Sequence, residues 1–471
     1  MSICLAPYPA YKDTGLEWLG QIPTHWDVRR FKLLLREIEA RSEDGKERLL
    51  SVSQYTGVTP RRTKAGSGEA DTRAESLIGY KRVTPNDLVV NIMLAWNGSM
   101  GVSKYDGLIS PAYCIYRFKP NAVPWYYHHL LRQPVYKGRI KTASTGVVES
   151  RLRLYSDALF RLEALVPPTE EQEQIARFVA DYTRRSERLI HTKRRLIELL
   201  NEQKQAIIHR AVTRGIDPGV PLKASGVEWL GELPEHWEVK RMRYVCRMNP
   251  STSELHSLDP ETLVSFLPMK KVSTGGELIL DENRAIKDVS QGFTYFRDQD
   301  IIVAKITPCF ENGKAALVNH LCNTIGFGST EFHVLRSNEG MLPLYLYFIV
   351  NSRLFRSLGT GSMYGAGGQK RVPEDFISNF VFAFPPFAEQ NEIVTFIQRE
   401  NAPFDEALLK IRAEINLIRE YRTRLVSDVV TGQLDVRGLA LPEVEDEVVS
   451  LGDEGDELDE GPDEDGGGAE E

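Results

Sequence analysis

A few stretches of this 471-residue sequence hold residue types that could do chemistry at the right spacing. FPPF at 384–387 imitates an Asn/Asp-Pro-Pro-aromatic box, in which a side-chain oxygen accepts a hydrogen bond from an amine about to be methylated. Phe384 cannot accept one, and the matching stretch earlier in the chain offers Val166. GTGSMYGAGGQK (359–370) is glycine-rich but does not fit G-x-x-x-x-G-K-[ST], the spacing that wraps backbone N–H groups round phosphates. IGFGST (325–330) lacks the strand-loop-acid context of a methyl-donor pocket. His128–His129 lacks zinc-ligand spacing and reads as a helix position. The five cysteines (Cys4, Cys114, Cys246, Cys309, Cys322) are odd in number and show no C-x-x-C, which points to reduced thiols without structural zinc. No Ser/His/Asp set stands at a spacing that supports nucleophilic catalysis. The residues therefore argue against an active site on this chain.

Binding chemistry is better represented. Arg61, Arg62 and Lys64 lie in PRRTK, and Lys141, Arg151 and Arg153 follow on either side of a glycine-containing loop. Later come Lys270, Lys271, Tyr364, Gln369, Lys370 and Arg371. Arginine grips guanine and glutamine grips adenine through paired hydrogen bonds in the major groove. Lysine neutralises phosphate wherever it falls. The net charge of −8 hides this, because residues 441–471 hold fifteen Asp/Glu and no Lys/Arg. Without them 58 basic residues face 51 acidic ones, so the body is mildly basic. The tail, 439–471, reads as a solvated disordered end. The longest strongly apolar stretch, LPLYLYFIV (342–350), is too short to span a bilayer, and the N-terminus lacks secretory-signal features. The expected location is the cytoplasm.

The elements that position these loops come in two sets. GLEWLGQIPTHWDVRR begins at Gly15 and GVEWLGELPEHWEVKR at Gly226, with ten of sixteen positions identical. The interval is the size of a domain rather than of a solenoid repeat. Further matches keep the order: DLVVNI (87–92) with DIIVAK (300–305), YCIYR (113–117) with FHVLR (332–336), and PPTEEQEQI (167–175) with PPFAEQNEI (385–393). Within each copy 87–94 and 300–306 read as buried strands, and 124–138 and 343–358 as helices opened by proline. Segments 56–76 and 359–371 read as exposed loops. The cassettes are too apolar to lie exposed, so Trp18, Trp26, Trp229 and Trp237 are expected to plug each module onto its helix. His25 and His236 read as hydrogen-bonded structural histidines.

Each PP motif opens a short amphipathic stretch followed by a long helix, capped at Thr183 in the first copy and at Asn401–Pro403 in the second. Leu408, Ile411, Ile415, Ile418 and Leu425 recur at a 3–4 spacing, the seam of a coiled coil. Leu189, Leu196, Leu199 and Ile207 stand in similar phase, interrupted at Thr192 and Gln203. A helix of about 28 residues is roughly 42 Å long, comparable with one turn of B-DNA at about 34 Å. The expected fold is α+β: two tandem α/β modules, each followed by a long helix, the helices paired as an antiparallel coiled coil with pseudo-two-fold internal repetition. The expected boundaries are 1–165, a helical spacer 166–220, 221–383, a second spacer 384–438, and the tail.

On the doubled GxEWLGxIPxHW cassette, the doubled PPxxEQ before a long helix, and GGQKRV at 367–372, the chain resembles the specificity subunit of type I restriction-modification enzymes over roughly 11–438. STGVVESRLRL (144–154) matches the last of these motifs only loosely, and the acidic tail departs from the family core. The resemblance implies two target-recognition domains, each reading one half of a split, asymmetric DNA site. It implies two modification subunits that methylate adenine N6, and restriction subunits that complete an ATP-dependent nuclease. It also implies a noncatalytic chain without cofactors, with S-adenosylmethionine, ATP and Mg on the partners. The rival readings are a stand-alone coiled-coil scaffold and a fused restriction-methylation enzyme, which would need catalytic boxes absent here.

Overall fold

The computed structural model describes residues 5–61, 74, 76–255, 257–365 and 368–442. Most of the acidic tail, together with Arg62 and Lys64, thus lies outside the described residues. The chain forms two compact units, Met1–Ile190 with Asn416–Glu471, and His191–Ile415. Both mix helices and sheets.

In the first unit the expected strands build an antiparallel sheet in the order Leu35–Ile38, Cys114–Phe118, Leu88–Val90, Met100–Val102. Leu88, Val89 and Val90 are buried, as an uninterrupted apolar run requires. Asp87 just before them is buried too, its charge met by the Arg117 guanidinium on two nitrogens at 2.8 and 2.9 Å. The single helix expected over 124–138 is two, Pro124–Leu131 and Pro134–Ala143. Pro134 has no N–H to continue the first helix but suits the opening turn of another. Segment 56–76 is also not all loop, since Gly57–Pro60 pairs with Leu50–Ser53. The cassette supplies Gln21–Pro23, paired with Tyr11–Asp13, and Asp27–Arg30, paired with Glu163–Val166.

The second unit contains the same connections. Glu232–Pro234 pairs with Leu222–Ala224, and Glu238–Arg241 with Val381–Phe384. The sheet runs Cys246–Met248, Phe332–Ser337, Ile301–Ala304, Ala315–Leu317. Here too the helix expected over 343–358 is split, into Pro343–Val350 and Arg353–Ser362. Ser352 caps the second by accepting from Phe355 N at 3.2 Å. This helix reaches into 359–371, so only the later part of that segment is loop. A second four-stranded sheet, Asn283–Ala285, Leu263–Leu267, Ile325–Gly328, Thr294–Arg297, carries its own small core around Phe266, Tyr295 and Phe327.

The long helices differ from expectation in length. The first is continuous over Thr169–Arg214, so Thr183 caps nothing. No Gly or Pro falls inside it, and Asp181 ties itself to Arg184 and Arg185 across this very turn. The second runs Phe387–Val430 straight through Asn401 and Pro403. A proline there removes one N–H bond and costs about 3 kcal/mol in isolation, which the buried Ile393, Ile397, Leu408 and Ile411 around it offset.

The two long helices pack together. In the first unit the Tyr182 and Tyr421 rings lie 6.3 Å apart and Arg422 reaches Glu187 at 3.4 Å. In the second unit Lys193 pairs with Glu414 and Lys204 with Asp405. Leu408, Ile411, Ile415 and Leu425 are buried and Ile418 is half-buried. In the first long helix the phase is one residue later than the spacing suggested. Leu189, Leu196 and Leu199 are 47%, 43% and 42% exposed, and Ile207 is half-buried. The inward positions are Ile190, Ile197, Leu200 and Ile208. Each seam site is a pair of adjacent apolar residues, so either member satisfied the pattern. The partners of Lys193 and Lys204 decide it, because lysine stems fill the seam while their ammonium groups reach acids opposite. Accordingly Leu196→Gln is expected to change unfolding free energy by less than about 0.5 kcal/mol, whereas Ile208→Ala is expected to cost about 2–4 kcal/mol. Denaturant midpoints of the two variants distinguish the phases, and the opposite ranking would restore the earlier one.

Candidate nucleic-acid interface

The cassette and the PP motif form one clip. In the first unit Glu171 is buried, with three donors on its carboxylate. Tyr8 OH gives to Oε1 at 2.6 Å, Trp26 Nε1 to the same oxygen at 3.0 Å, and His25 Nε2 lies 2.8 Å from Oε2. A carboxylate so placed only accepts, so His25 carries its proton on Nε2. Burial and the adjacent Glu171 charge push the Tyr8 hydroxyl far above its ordinary pKa, so it remains a donor. Gln172 beside it accepts from Val123 N at 2.9 Å and donates to Pro167 O at 2.8 Å, locking the helix start to the start of Pro124–Leu131.

In the second unit Gln390 repeats these bonds with Leu342 N at 2.9 Å and Pro385 O at 3.1 Å. Among the described residues Glu389 holds only His236, at 2.8 Å, and buried Trp237 has no acceptor for Nε1. Trp26 and Trp237 are fully buried and Trp18 half-buried, its ring edge-on to Tyr136 at 5.2 Å with the Arg139 guanidinium above. Trp229 contradicts the expectation that the cassette is covered, since it is 43% exposed. The residue at the place of Tyr136, Phe355, turns instead onto Phe376 and Phe380, at 5.4 and 4.9 Å. PPxxEQ was visible in the sequence, but not the job of its Glu and Gln. Nor did Tyr8, outside both cassettes, give any signal.

Each unit also carries basic loops. Arg61 is exposed just after Gly57–Pro60. Lys141 lies in the last turn of the helix Pro134–Ala143, and Arg151 and Arg153 follow on a loop closed where the backbones of Thr145 and Arg153 exchange bonds of 3.0 and 2.9 Å. Lys141 pairs with Glu149 and lies 5.4 Å above the Trp96 ring. Arg151 is exposed, and Arg153 is half-buried and donates to Leu152 O.

In the second unit Lys270 is exposed, but Lys271 is held by Asp281 and Glu282 at 2.6 and 3.0 Å. These bonds raise its pKa and lower that of Asp281, while Glu282 is lowered first by Arg284 and then by Lys271. Tyr364, Gln369 and Lys370 are exposed on a loop whose ends meet through Tyr364–Arg371 backbone bonds. Thr307 fastens it, its hydroxyl accepting from Lys370 N at 3.0 Å and giving to Gly368 O at 2.8 Å. Arg371 grips Glu331 on two nitrogens, and the pair holds the carboxyl below and the guanidinium above their usual ranges. The turn Ser329–Glu331 joins the two clusters, since Ser329 N bonds Leu267 O beside Lys270. Net free charge on this face thus resides on Lys270 and Lys370 more than on Lys271 or Arg371.

Residues 234–417 match the family model "Type I restriction modification DNA specificity domain". The chain is 40% identical over 165 residues to the specificity subunit of the type I restriction enzyme EcoEI of Escherichia coli, covering 35% of this chain. That alignment spans only 27% of the relative's length. The specificity subunit of MjaVIII from Methanocaldococcus jannaschii is 26% identical over 373 residues, 76% of this chain and 83% of that one. A chain in a solved structure described as "Structural basis underlying complex assembly and conformational transition of the type I R-M system" superposes with a TM-score of 0.60 at 12% identity. It covers 88% of this chain and 99% of that one, and the likeness is one of fold. Among the described residues no helix is long and apolar enough to cross a membrane.

Proposed function

We propose that this chain is a type I restriction-modification specificity subunit, which reads a split, asymmetric DNA site and carries no active site of its own. In this reading 1–165 and 221–383 are the target-recognition domains, and 166–220 and 384–438 the helical spacers, an antiparallel coiled coil that sets the gap between half-sites. The tail, 439–471, stands apart. Two modification subunits and the restriction subunits are the protein partners, bringing S-adenosylmethionine, ATP and Mg, and the complex works in the cytoplasm.

One observation carries most of this reading: the two units combine dissimilar basic loops with similar Glu/Gln–cassette clips. Similar supports with different tips suit two readers of different sequences. The ion-pair order, Lys193 with Glu414 and Lys204 with Asp405, supports the antiparallel helix arrangement.

Gel mobility of randomised duplexes, with and without a purified modification subunit, tests the function. Enrichment of two fixed half-sites at a fixed separation is the expected result. Methyl transfer by the chain alone would favour a fused enzyme, and indifference to DNA a scaffold. Within the same assay Lys370→Ala is expected to reduce the salt slope of binding by about one phosphate contact, roughly 0.9 in log–log slope. Arg371→Ala is expected to change that slope less, because Glu331 already neutralises it. Equal slopes for wild type and Lys370→Ala would remove Lys370 from the interface.

A further inference from the structure

The first unit carries a half-buried cation whose bonds serve a surface turn. Leu50–Ser53 and Gly57–Pro60 form a hairpin whose paired Ser53 and Gly57 leave Gln54, Tyr55 and Thr56 as the tip. Such three-residue turns put a glycine in the left-handed region, and Gly57 has φ +77°. A Cβ there would stand 3.2 Å from His128 Cε1, so the turn is pressed against the helix Pro124–Leu131. His128 is itself neutral at ordinary pH, its pKa pulled well down by burial, and Nδ1 accepts from Val102 N at 3.0 Å.

Arg132, at the end of that helix, donates to three successive carbonyls of the turn. Its Nη1 lies 3.4 Å from Ser53 O, and Nη2 lies 2.8 Å from Gln54 O and 2.7 Å from Tyr55 O. Nη1 also reaches Gly98 O at 3.1 Å and Met100 O at 2.7 Å. Among the described residues no carboxylate pairs with this guanidinium, and burial pulls its pKa below the usual value. A half-buried charge satisfied, among the described residues, by carbonyls alone is a costly way to hold a solvent-facing turn. What it holds out is Tyr55, 73% exposed, the most exposed aromatic among the described residues.

The surroundings are cationic. Lys137 lies against Gly98, where an added Cβ would stand 2.9 Å from Nζ, and Lys141 sits over Trp96. The tip and the end of the helix Pro134–Ala143 are thus both fastened to the 95–100 segment. In the second unit the corresponding hairpin closes between Val272 and Leu278, and Tyr347 OH holds Gly275 O at 3.3 Å. Its tip, Thr274–Gly275–Gly276, has no aromatic side chain.

We propose that the Arg132-clamped hairpin tip is a base-reading element of the first unit, with Tyr55 and Gln54 contacting base edges of one half-site and Arg132 acting as the positioning residue. The proposal rests on the DNA-reading function above. Gln54 offers both donor and acceptor for an adenine edge, and Tyr55 a hydroxyl on a flat apolar ring. Fixing the backbone beforehand removes the cost of ordering a loop on binding.

The test is selection from randomised duplexes by the full chain complexed with its modification subunit, for wild type, Gln54→Ala, Tyr55→Ala, Tyr55→Phe and Arg132→Lys. Tyr55→Ala is expected to flatten the preference at one or two adjacent base pairs of one half-site by about tenfold. The other half-site and the salt slope stay unchanged. Arg132→Lys keeps a cation but not the fork, and is expected to flatten the same positions, which a general loss of stability would not single out. Tyr55→Phe separates the hydroxyl from the ring. If wild type enriches a split site and both Tyr55→Ala and Gln54→Ala keep its profile at every position, the tip proposal is wrong. If wild type enriches no sequence, the DNA-reading function itself has failed.

Discussion

Alanine at Glu171 is expected to lower the unfolding free energy of the first unit by about 3–5 kcal/mol. Three groups give hydrogen bonds to this buried carboxylate, and two of them, Tyr8 OH and Trp26 Nε1, lose their acceptor in a dry site. Hydrogen bonds to a charged group contribute about 1.5–3 kcal/mol each, and orphaned buried donors cost about 1–3. At Glu389 the same substitution removes only His236, which is half exposed, so about 1 kcal/mol is expected. Urea denaturation of the two variants, followed by tryptophan fluorescence and by backbone circular dichroism, reads the difference. Equal losses would mean that the clip bears the same load in both units and that the three-donor arrangement is wrong.

Gly432→Ala should be comparably damaging. Gly432 has φ +79°, and a Cβ would stand 2.6 Å from Pro23 Cδ and 2.9 Å from Trp26 Cζ3. Left-handed backbone costs a non-glycine residue about 1–2 kcal/mol, and overpacking about 1–3 more, giving roughly 2–5 kcal/mol together. Trp26 cannot yield easily, since Glu171 tethers its indole nitrogen. Gly215 has φ +74° against Trp237, but the added carbon would stand 3.3 Å from the ring, and that indole has no tether among the described residues. Gly215→Ala is therefore expected to cost about 1–2 kcal/mol, mostly backbone. Thermal midpoints of the two alanine variants check the ranking, and the steric account fails if Gly215→Ala is the worse of the two.

Much of the fold was legible because its signals are dense and periodic. Leu88–Val90 and Ile301–Ala304 are apolar runs between turn formers, and they lie buried in the sheets. The doubled cassettes and doubled PP motifs located the pieces of the clip. Where the sequence misled, two local solutions were nearly equivalent. Leu196 and Ile197 both fit an apolar stripe, and only the acids facing Lys193 and Lys204 separate them. Asn401 with Pro403 has the form of a helix start, yet surrounding burial carries the helix through. At Trp229 the cassette is the same as at Trp18, but its cover comes from a distant helix that differs. Among the candidate site residues the basic types were easy to find. Which of them an acid already neutralises, as at Lys271 and Arg371, depends on pairings such as that with Glu331, 40 residues away in sequence. Arg132 gave no sign at all, because a clamp on carbonyls has no side-chain signature.

The first unit is assembled from both ends of the polypeptide. Leu425, Val429, Val430 and Val436 belong to its core, Tyr126 OH donates to Val430 O, and Ala6 pairs with Asp435. The second unit needs nothing beyond Ile415. During translation, which runs from the N-terminus at about 5–20 residues per second, the later-encoded unit can therefore mature before the earlier one. The opening residues wait, apolar and incomplete, for the closing ones to arrive. A ribosome stalled once Ile415 has cleared the exit tunnel, with the residues after it still inside, would display a finished second half beside an open first half, the form most prone to capture by chaperones.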